Sequence, residues 1–159
     1  MKVKWKPPPQ GIIKLNWDAT VAIKERKMGV EVIARDYTGK VLATLSAPRP
    51  IVSDPTVAET IGAWMSVDLT SHLGFTRIYL EGDALEIVQA LRMEGSCWSR
   101  YEHLINDAKI LIQKFQFWEV DHVKREANEV AHILAKKALA CGTTQFCEEH
   151  ILDCISHIV

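Results

Sequence analysis

Residues 29–47 read GVEVIARDYTGKVLATLSA, and this stretch decides the fold class. Two runs rich in β-branched and apolar residues flank the turn sequence DYTG (36–39), in which Gly39 can adopt a positive φ. The pattern predicts strands over 29–35 and 40–47 that are joined as an antiparallel hairpin.

Outside this hairpin, the spacing of hydrophobic residues along the chain alternates between the period of strands and that of helices. Pro55 and Gly74 mark the start and end of the first helix, and the sequence DALE (83–86) predicts a capping box at the second. The predicted elements are strands 12–21, 29–35 and 40–47, a helix from Ser53 or Asp54 to His72, a strand 75–81, helices 84–93 and 99–114, a strand 115–123 and a helix 126–141. This order, βββαβααβα, predicts an α/β fold with a mixed sheet flanked by helices.

The chain divides into one domain and two short flanking segments. Residues 1–11 contain three consecutive prolines and predict an extended Pro-rich lead-in. Residues 12–142 form the domain, because a chain of 159 residues suits a single core of ordinary size. Residues 143–159 are expected to form a tail helix, since Ile151, Ile155 and Ile158 recur at helical spacing.

Composition excludes several classes of protein. With 48% hydrophobic and 25% charged residues, the chain is not wholly disordered, collagen-like or a disulfide scaffold. No apolar run approaches the ~20 residues that span a bilayer, and the basic Pro-rich start is not a secretory signal. The four cysteines include no C-x-x-C pair, which favours reduced thiols and an intracellular location, nuclear or cytoplasmic.

The formal net charge of −1 means that any contact with nucleic acid must come from local basic patches. Each patch is also compatible with an ordinary solvated surface. The candidates are Lys2, Lys4, Lys6 and Lys14, then Lys24, Arg26 and Lys27, and finally Lys124 with Arg125.

Three acidic residues fall where folding alone would not place them. Asp18 follows an apolar strand and shares a side with Asn16, opposite Leu15 and Trp17. A buried strand carboxylate is costly unless it is paired or metal-bound, although a solvated aspartate at a strand end is the simpler alternative.

Glu59 and Asp83 also have structural alternatives. Glu59 shares a helix face with Ala63 and Val67, yet an acid in a first helical turn also complements the helix dipole. Asp83 follows a strand at the edge where open α/β sheets bind ligands, yet it also suits a helix N-cap. If Asp18, Glu59 and Asp83 meet, their repulsion favours hard divalent cations, Mg²⁺ or Mn²⁺.

At this point the sequence resembles the ribonuclease H domain of plant retroelement-derived proteins. The matching runs keep the family's order and extend over about residues 5–140. They are WKPPPQGIIKLNWDAT (5–20), GVEVIARDYTGKVL (29–42), AET (58–60), IYLEGDALEIVQAL (78–91) and HVKREANEVAHILAKKAL (122–139).

The resemblance implies a five-stranded mixed sheet and an endonuclease that cuts the RNA strand of RNA–DNA hybrids. Two divalent ions, Mg²⁺ or Mn²⁺, would be held by Asp18, Glu59 and Asp83, and the products would carry a 5′-phosphate and a 3′-hydroxyl. RNA would be selected through its 2′-hydroxyls, with weak sequence preference. We expect nucleic-acid contacts from Asn16, Lys124, Arg125 and Asn128.

Two departures from the family pattern keep other functions open. His132 stands where the family has a fourth carboxylate, so we expect it to be a weaker fourth ligand that favours Mn²⁺. The segment 123–127 is too short for the mobile histidine loop of many relatives. The alternatives are a non-catalytic module that binds nucleic acid or protein, and an interaction domain whose tail helix docks a partner. We expect a monomer unless the tail associates.

Overall fold

The fold is built on one six-stranded sheet. The computed structural model describes residues 3–50, 54–95, 101–140 and 145–148. The strands are β1 (Ile13–Ala22), β2 (Lys27–Arg35), β3 (Val41–Pro50), β4 (Arg77–Gly82), β5 (Phe117–His122) and β6 (Gln145–Glu148), in the spatial order β5-β4-β1-β2-β3-β6. Pairing is antiparallel from β1 through β2 and β3 to β6, and parallel from β1 through β4 to β5. β1 therefore has a strand neighbour on each side.

Helices cover both faces of this sheet. They are α1 (Pro55–His72), α2 (Leu85–Arg92), α3 (Glu102–Ile112) and α4 (Glu129–Ala140), with a 3₁₀ turn at Arg125–Asn128 before α4. α1, α2 and α3 pack together over the larger apolar core, whereas α4 packs against β1, β2 and β3 on the opposite face. None of the helices in the described part of the chain combines the length and hydropathy needed to span a bilayer.

Local sequence signals explain where the elements begin and end. The Asp54 side chain accepts a hydrogen bond of 2.9 Å from the Thr56 N–H, which caps α1 as expected. Gly39 has a φ of 85° and follows Asp36, whose Oδ1 accepts from the Thr38 amide at 2.8 Å. This geometry confirms the predicted hairpin turn.

The alternation along β1 separates two environments. Leu15 and Trp17 are fully buried in the larger core, while Asn16 and Asp18 are fully buried on the other face. Gly82 at the end of β4 lies against Trp17, since a Cβ at this glycine would overlap the indole ring atoms Cζ2 and Cε2. A glycine here therefore lets β4 approach the core tryptophan.

The five-stranded mixed sheet expected from the sequence is confirmed, and β6 adds a sixth strand. The tail helix predicted over 143–159 is wrong where it can be compared, because Gln145–Glu148 pairs with the edge of β3. The rest of that prediction lies outside the described residues. The predicted capping box is also not formed, since Ala84 is the N-cap of α2 and no side chain caps it.

Candidate active site

Three carboxyl groups from three elements meet at one end of the sheet. Asp18 on β1, Glu59 on α1 and Asp83 directly after β4 each offer an oxygen, and these oxygens lie within 4.8 Å of one another. β1 and β4 are parallel neighbours, so residues near their carboxyl ends reach the same edge. Glu59 is held there by the Ala19 N–H, which donates to its Oε1 at 3.3 Å.

Burial and mutual repulsion oppose full ionisation of this acidic cluster (Asp18, Glu59 and Asp83). Burial first, and the charge of Asp83 second, raise the pKa of Asp18. Burial, followed by repulsion from Asp18 and Asp83, raises the pKa of Glu59 to about 9. Glu59 therefore holds a proton at neutral pH when no cation is bound.

Two oxygens of the cluster suit a cation. Asp18 Oδ1 and Glu59 Oε2 are buried, and when both carboxyl groups are ionised no described residue donates a hydrogen bond to either of them. Leaving buried polar oxygens unsatisfied is costly, and carboxylate oxygens are the ligands that Mg²⁺ and Mn²⁺ prefer. The residues present therefore fit the divalent ions that the resemblance implies.

His132 reaches the cluster through Asp18. It lies in the first turn of α4, and its Nδ1 is 2.6 Å from Asp18 Oδ2. Because the carboxylate accepts this bond, Nδ1 carries the hydrogen, and a neutral ring keeps a free lone pair on Nε2. This contact partly offsets the increase in the pKa of Asp18 that burial causes.

Arg125, like His132, contacts one of the acids of the cluster. Its Nε donates to Asp83 Oδ2 at 3.0 Å, and the arginine side chain is 63% exposed whereas that of Asp83 is 8% exposed. Because Asp83 is buried among other carboxyl groups, the guanidinium can leave it at small cost only when another positive charge takes its place. The exposed Lys124 precedes it.

Beneath the cluster, Asn16 and Asn128 join the central strand to the start of α4. Asn16 Nδ2 donates to Asn128 Oδ1 at 3.0 Å and to Glu81 Oε2 at 3.1 Å. Asn128 Nδ2 donates to the Trp17 carbonyl at 2.8 Å. Both asparagines are buried with their amides engaged in the protein. Their position does not fit the nucleic-acid contacts expected from the sequence, and it assigns them to holding β1 and α4 together.

Three further side chains complete this network, a role that was not expected for any of them from the sequence. Asn16 Oδ1 accepts from Trp5 Nε1 at 3.0 Å and from Arg35 Nη2 at 3.2 Å. The buried Lys14 pairs with Glu81 at 2.7 Å. Alternation places Lys14 on the same side of β1 as Asn16, and this was the available signal. Nothing in the sequence pattern indicated that Trp5 of the lead-in would fold back onto that face.

The chain matches a family model described as reverse transcriptase-like over residues 16–138. Among curated proteins, no sequence match was found. Solved structures provide further relatives in fold.

Three solved structures illustrate this likeness. RNase H1 from the halophilic archaeon Halobacterium salinarum is 20% identical with a TM-score of 0.73, and the match covers 81% of this chain and 98% of that one. An N-terminal RNase H domain from Mycobacterium tuberculosis is 20% identical with a TM-score of 0.72, and the match covers 81% of this chain and 94% of that one. LC11-RNase H1, solved in complex with an RNA/DNA hybrid, is 18% identical with a TM-score of 0.68, and the match covers 80% of this chain and 96% of that one. At these identities the likeness establishes the fold.

Proposed function

The chain belongs to the reverse transcriptase-like family, and from this premise we propose that it is a metal-dependent endonuclease that cuts the RNA strand of RNA–DNA hybrids. The observation that carries the proposal is the meeting of Asp18, Glu59 and Asp83 within 4.8 Å. Two of their oxygens are buried and, when the groups are ionised, have no hydrogen-bond donor, which favours cation binding. The likeness in fold to ribonucleases H supports the reaction type.

Asp18, Glu59 and Asp83 are the residues that would hold two divalent ions. Ions held there would supply an activated water for in-line attack and would neutralise the charge on the departing 3′-oxygen, so that the products would carry a 5′-phosphate and a 3′-hydroxyl. Glu59 must first release the proton that its pKa of about 9 retains at neutral pH. His132 orients Asp18 through Nδ1. To act as a fourth, softer ligand, which would favour Mn²⁺, its ring would have to turn from Asp18 to the cation.

Arg125 has a role in this proposal that follows from its contact with Asp83. Without cations, its guanidinium offsets part of the negative charge of the cluster. When cations neutralise Asp83, this mostly exposed side chain becomes available for a phosphate of the substrate. Lys124 beside it adds a second positive charge, so both residues stay in the proposed nucleic-acid contact surface.

The experiment is a cleavage assay on a hybrid in which either the RNA or the DNA strand is labelled, with Mn²⁺ or Mg²⁺. We expect cuts in the RNA strand, with faster cleavage in Mn²⁺. Asp83→Asn should lower the rate about 100-fold or more, because it removes a ligand charge while an asparagine oxygen can still accept from Arg125.

Asp107→Asn is the matched control, since Asp107 is exposed on α3 and outside the acidic cluster. It should cut at the rate of the unaltered protein. Full activity in Asp83→Asn, or no cleavage by the unaltered protein with either ion, would contradict the proposed reaction.

A second candidate function is a non-catalytic module that binds nucleic acid. It is favoured by one observation, which is that His132 and Arg125 already engage Asp18 and Asp83 from within the chain. This function predicts hybrid binding that weakens steeply with salt, with no cleavage. A plant retroelement origin, an intracellular location and a monomeric state stay predictions.

A further inference from the structure

A groove of about 600 Å³ opens beside the acidic cluster, between the lead-in and the start of α4. We name it the lead-in groove. Its walls include Lys4, Trp5, Arg35, Arg125, Glu126 and His132. The function proposed above does not use most of these residues.

The lead-in wall is held in place by three hydrogen bonds. The Val3 N–H donates to Glu126 Oε2 at 3.0 Å, and Trp5 Nε1 donates to Asn16 at 3.0 Å. Lys14 Nζ donates to the Lys6 carbonyl at 2.6 Å. Because these contacts form without a ligand, the groove is preformed, and a ligand entering it has little ordering cost to overcome.

The chemistry of the groove suits a nucleic-acid strand. The buried Arg35 guanidinium lies 3.9 Å from the Trp5 ring centroid and holds the half-buried indole in place, so that the indole is the group on which a base can stack. Lys4 supplies exposed positive charge for phosphates. Two acidic residues, Glu126 and Glu129, line the groove on the α4 side. The opposite wall, formed by the lead-in with Lys4, is therefore the side that suits phosphates.

The groove is continuous with the acidic cluster. His132 and Arg125 line it, and the same side chains contact Asp18 and Asp83. A strand that leaves the cluster on this side passes directly into the groove. The volume of the groove, about 600 Å³, is that of a small-ligand site and is too small for a duplex, so the space suits a short length of single strand.

We propose that the lead-in groove binds a single-stranded extension of the RNA strand that continues past the cluster. The inference rests on the proposed function and narrows its substrate class to hybrids that carry such an extension. Because the groove lies on one side of the cluster, an extension at one end of the RNA strand should bind better than one at the other end.

The test measures binding without cleavage. Fluorescence anisotropy, in buffer with EDTA, compares a blunt hybrid with the same hybrid extended by single-stranded RNA at its 5′ or its 3′ end. We expect one extension to tighten binding about tenfold, as stacking of a few bases and added phosphate contacts would give.

Variants then locate the effect in the groove. Lys4→Ala should remove several-fold of the gain and lower the slope of log affinity against log salt by about 1. Lys114→Ala, at an exposed lysine in the α3–β5 connection, is the matched control and should keep the full gain. Trp5→Leu should abolish the gain, and its circular dichroism spectrum shows whether the fold is intact.

Equal affinity for blunt and extended hybrids would overturn the inference, as would a gain that Lys4→Ala and Lys114→Ala reduce equally. Cleavage of the blunt hybrid in Mn²⁺ is measured separately. Cleavage without any effect of the extension removes the groove proposal alone. An extension effect without cleavage removes the nuclease proposal and leaves the groove in place.

Discussion

The two faces of β1 are both buried, but they contain opposite chemistry. Leu15 and Trp17 lie in an apolar core beneath α1, whereas Asn16 and Asp18 lie among polar groups between the sheet, the lead-in and α4. Burying the first pair is favourable without any specific partner. Burying the second pair is costly unless each polar atom has a partner. The apolar face therefore stabilises the fold, whereas the polar face lowers stability because polar groups are buried there to form a chemical site.

Glu31 extends the polar face to the neighbouring strand. It lies directly opposite Asp18 in the β1–β2 register and is fully buried. Burial raises its pKa well above the ordinary value of 4.5, and hydrogen bonds from Ser46 and the Val32 backbone offset only part of this increase. The sheet therefore contains a further acid that is outside the cluster and weakens the fold at neutral pH.

The largest expected effect comes from breaking the apolar face next to the site. In Gly82→Ala, the new methyl group would overlap the Trp17 indole, and relief requires movement of β4 or of the tryptophan. We expect a loss of about 3 kcal/mol in the free energy of unfolding, measured by urea denaturation. Because Asp83 is the next residue, Mn²⁺ binding should weaken as well.

Gly62→Ala is the matched control for this change. Its Cβ would approach Trp17 Cδ1 at 2.9 Å from the α1 side, a smaller overlap that still requires the ring or the helix to shift. Alanine in place of glycine within a helix gains about 0.5–1 kcal/mol, which offsets part of this strain, so the net cost should be about 1 kcal/mol. If both variants lose the same stability, the close approach of β4 to Trp17 is not the cause.

An intermediate effect should come from neutralising the polar face at Glu31. A raised folded pKa means that the folded protein keeps a proton that the unfolded chain releases above pH 4.5. Stability therefore falls as pH rises from 4.5 toward the folded pKa. Glu31→Gln removes this dependence, and at pH 7 it should raise the free energy of unfolding above that of the unaltered protein.

Denaturation curves at pH 4.5 and pH 7 for the unaltered protein and Glu31→Gln measure this difference. The gain should shrink toward zero at the lower pH, where the unfolded chain also holds its proton. A gain of the same size at both pH values would point to altered packing instead of ionisation.

The smallest expected effect is the pH dependence of Mn²⁺ binding at the acidic cluster. Cations must displace the proton on Glu59, whose pKa is about 9. The apparent affinity for Mn²⁺ should therefore rise about tenfold per pH unit between pH 7 and pH 8. Calorimetric titration measures this slope and the protons released.

Glu59→Gln is the control for that slope. It removes the titrating carboxyl, so Mn²⁺ should bind more weakly and with a flatter dependence on pH. If the slope stays at tenfold per unit in Glu59→Gln, a different group releases the proton.

Much of the fold could be predicted because its signals are local. The DYTG turn, the Asp54 cap and the alternation of Leu15 with Asn16 depend on neighbouring residues, and the structure bears them out. The meeting of the three acids was also predictable, because parallel strands bring their carboxyl ends to one edge. The capping box at Asp83 was not formed, since this carboxyl group turns to Arg125, 42 residues away in sequence.

The sequence by itself determined the strand and helix periods, the order of the elements and which acids lie near the carboxyl ends of the strands. Only the tertiary structure decided that Asn16 and Asn128 are buried connectors, that Trp5 packs on Arg35, and that Gln145–Glu148 is a sixth strand. Periodicity depends on dihedral geometry within a few residues. Hydrogen bonds and edge pairing between distant segments depend instead on which groups the folded chain leaves without a partner.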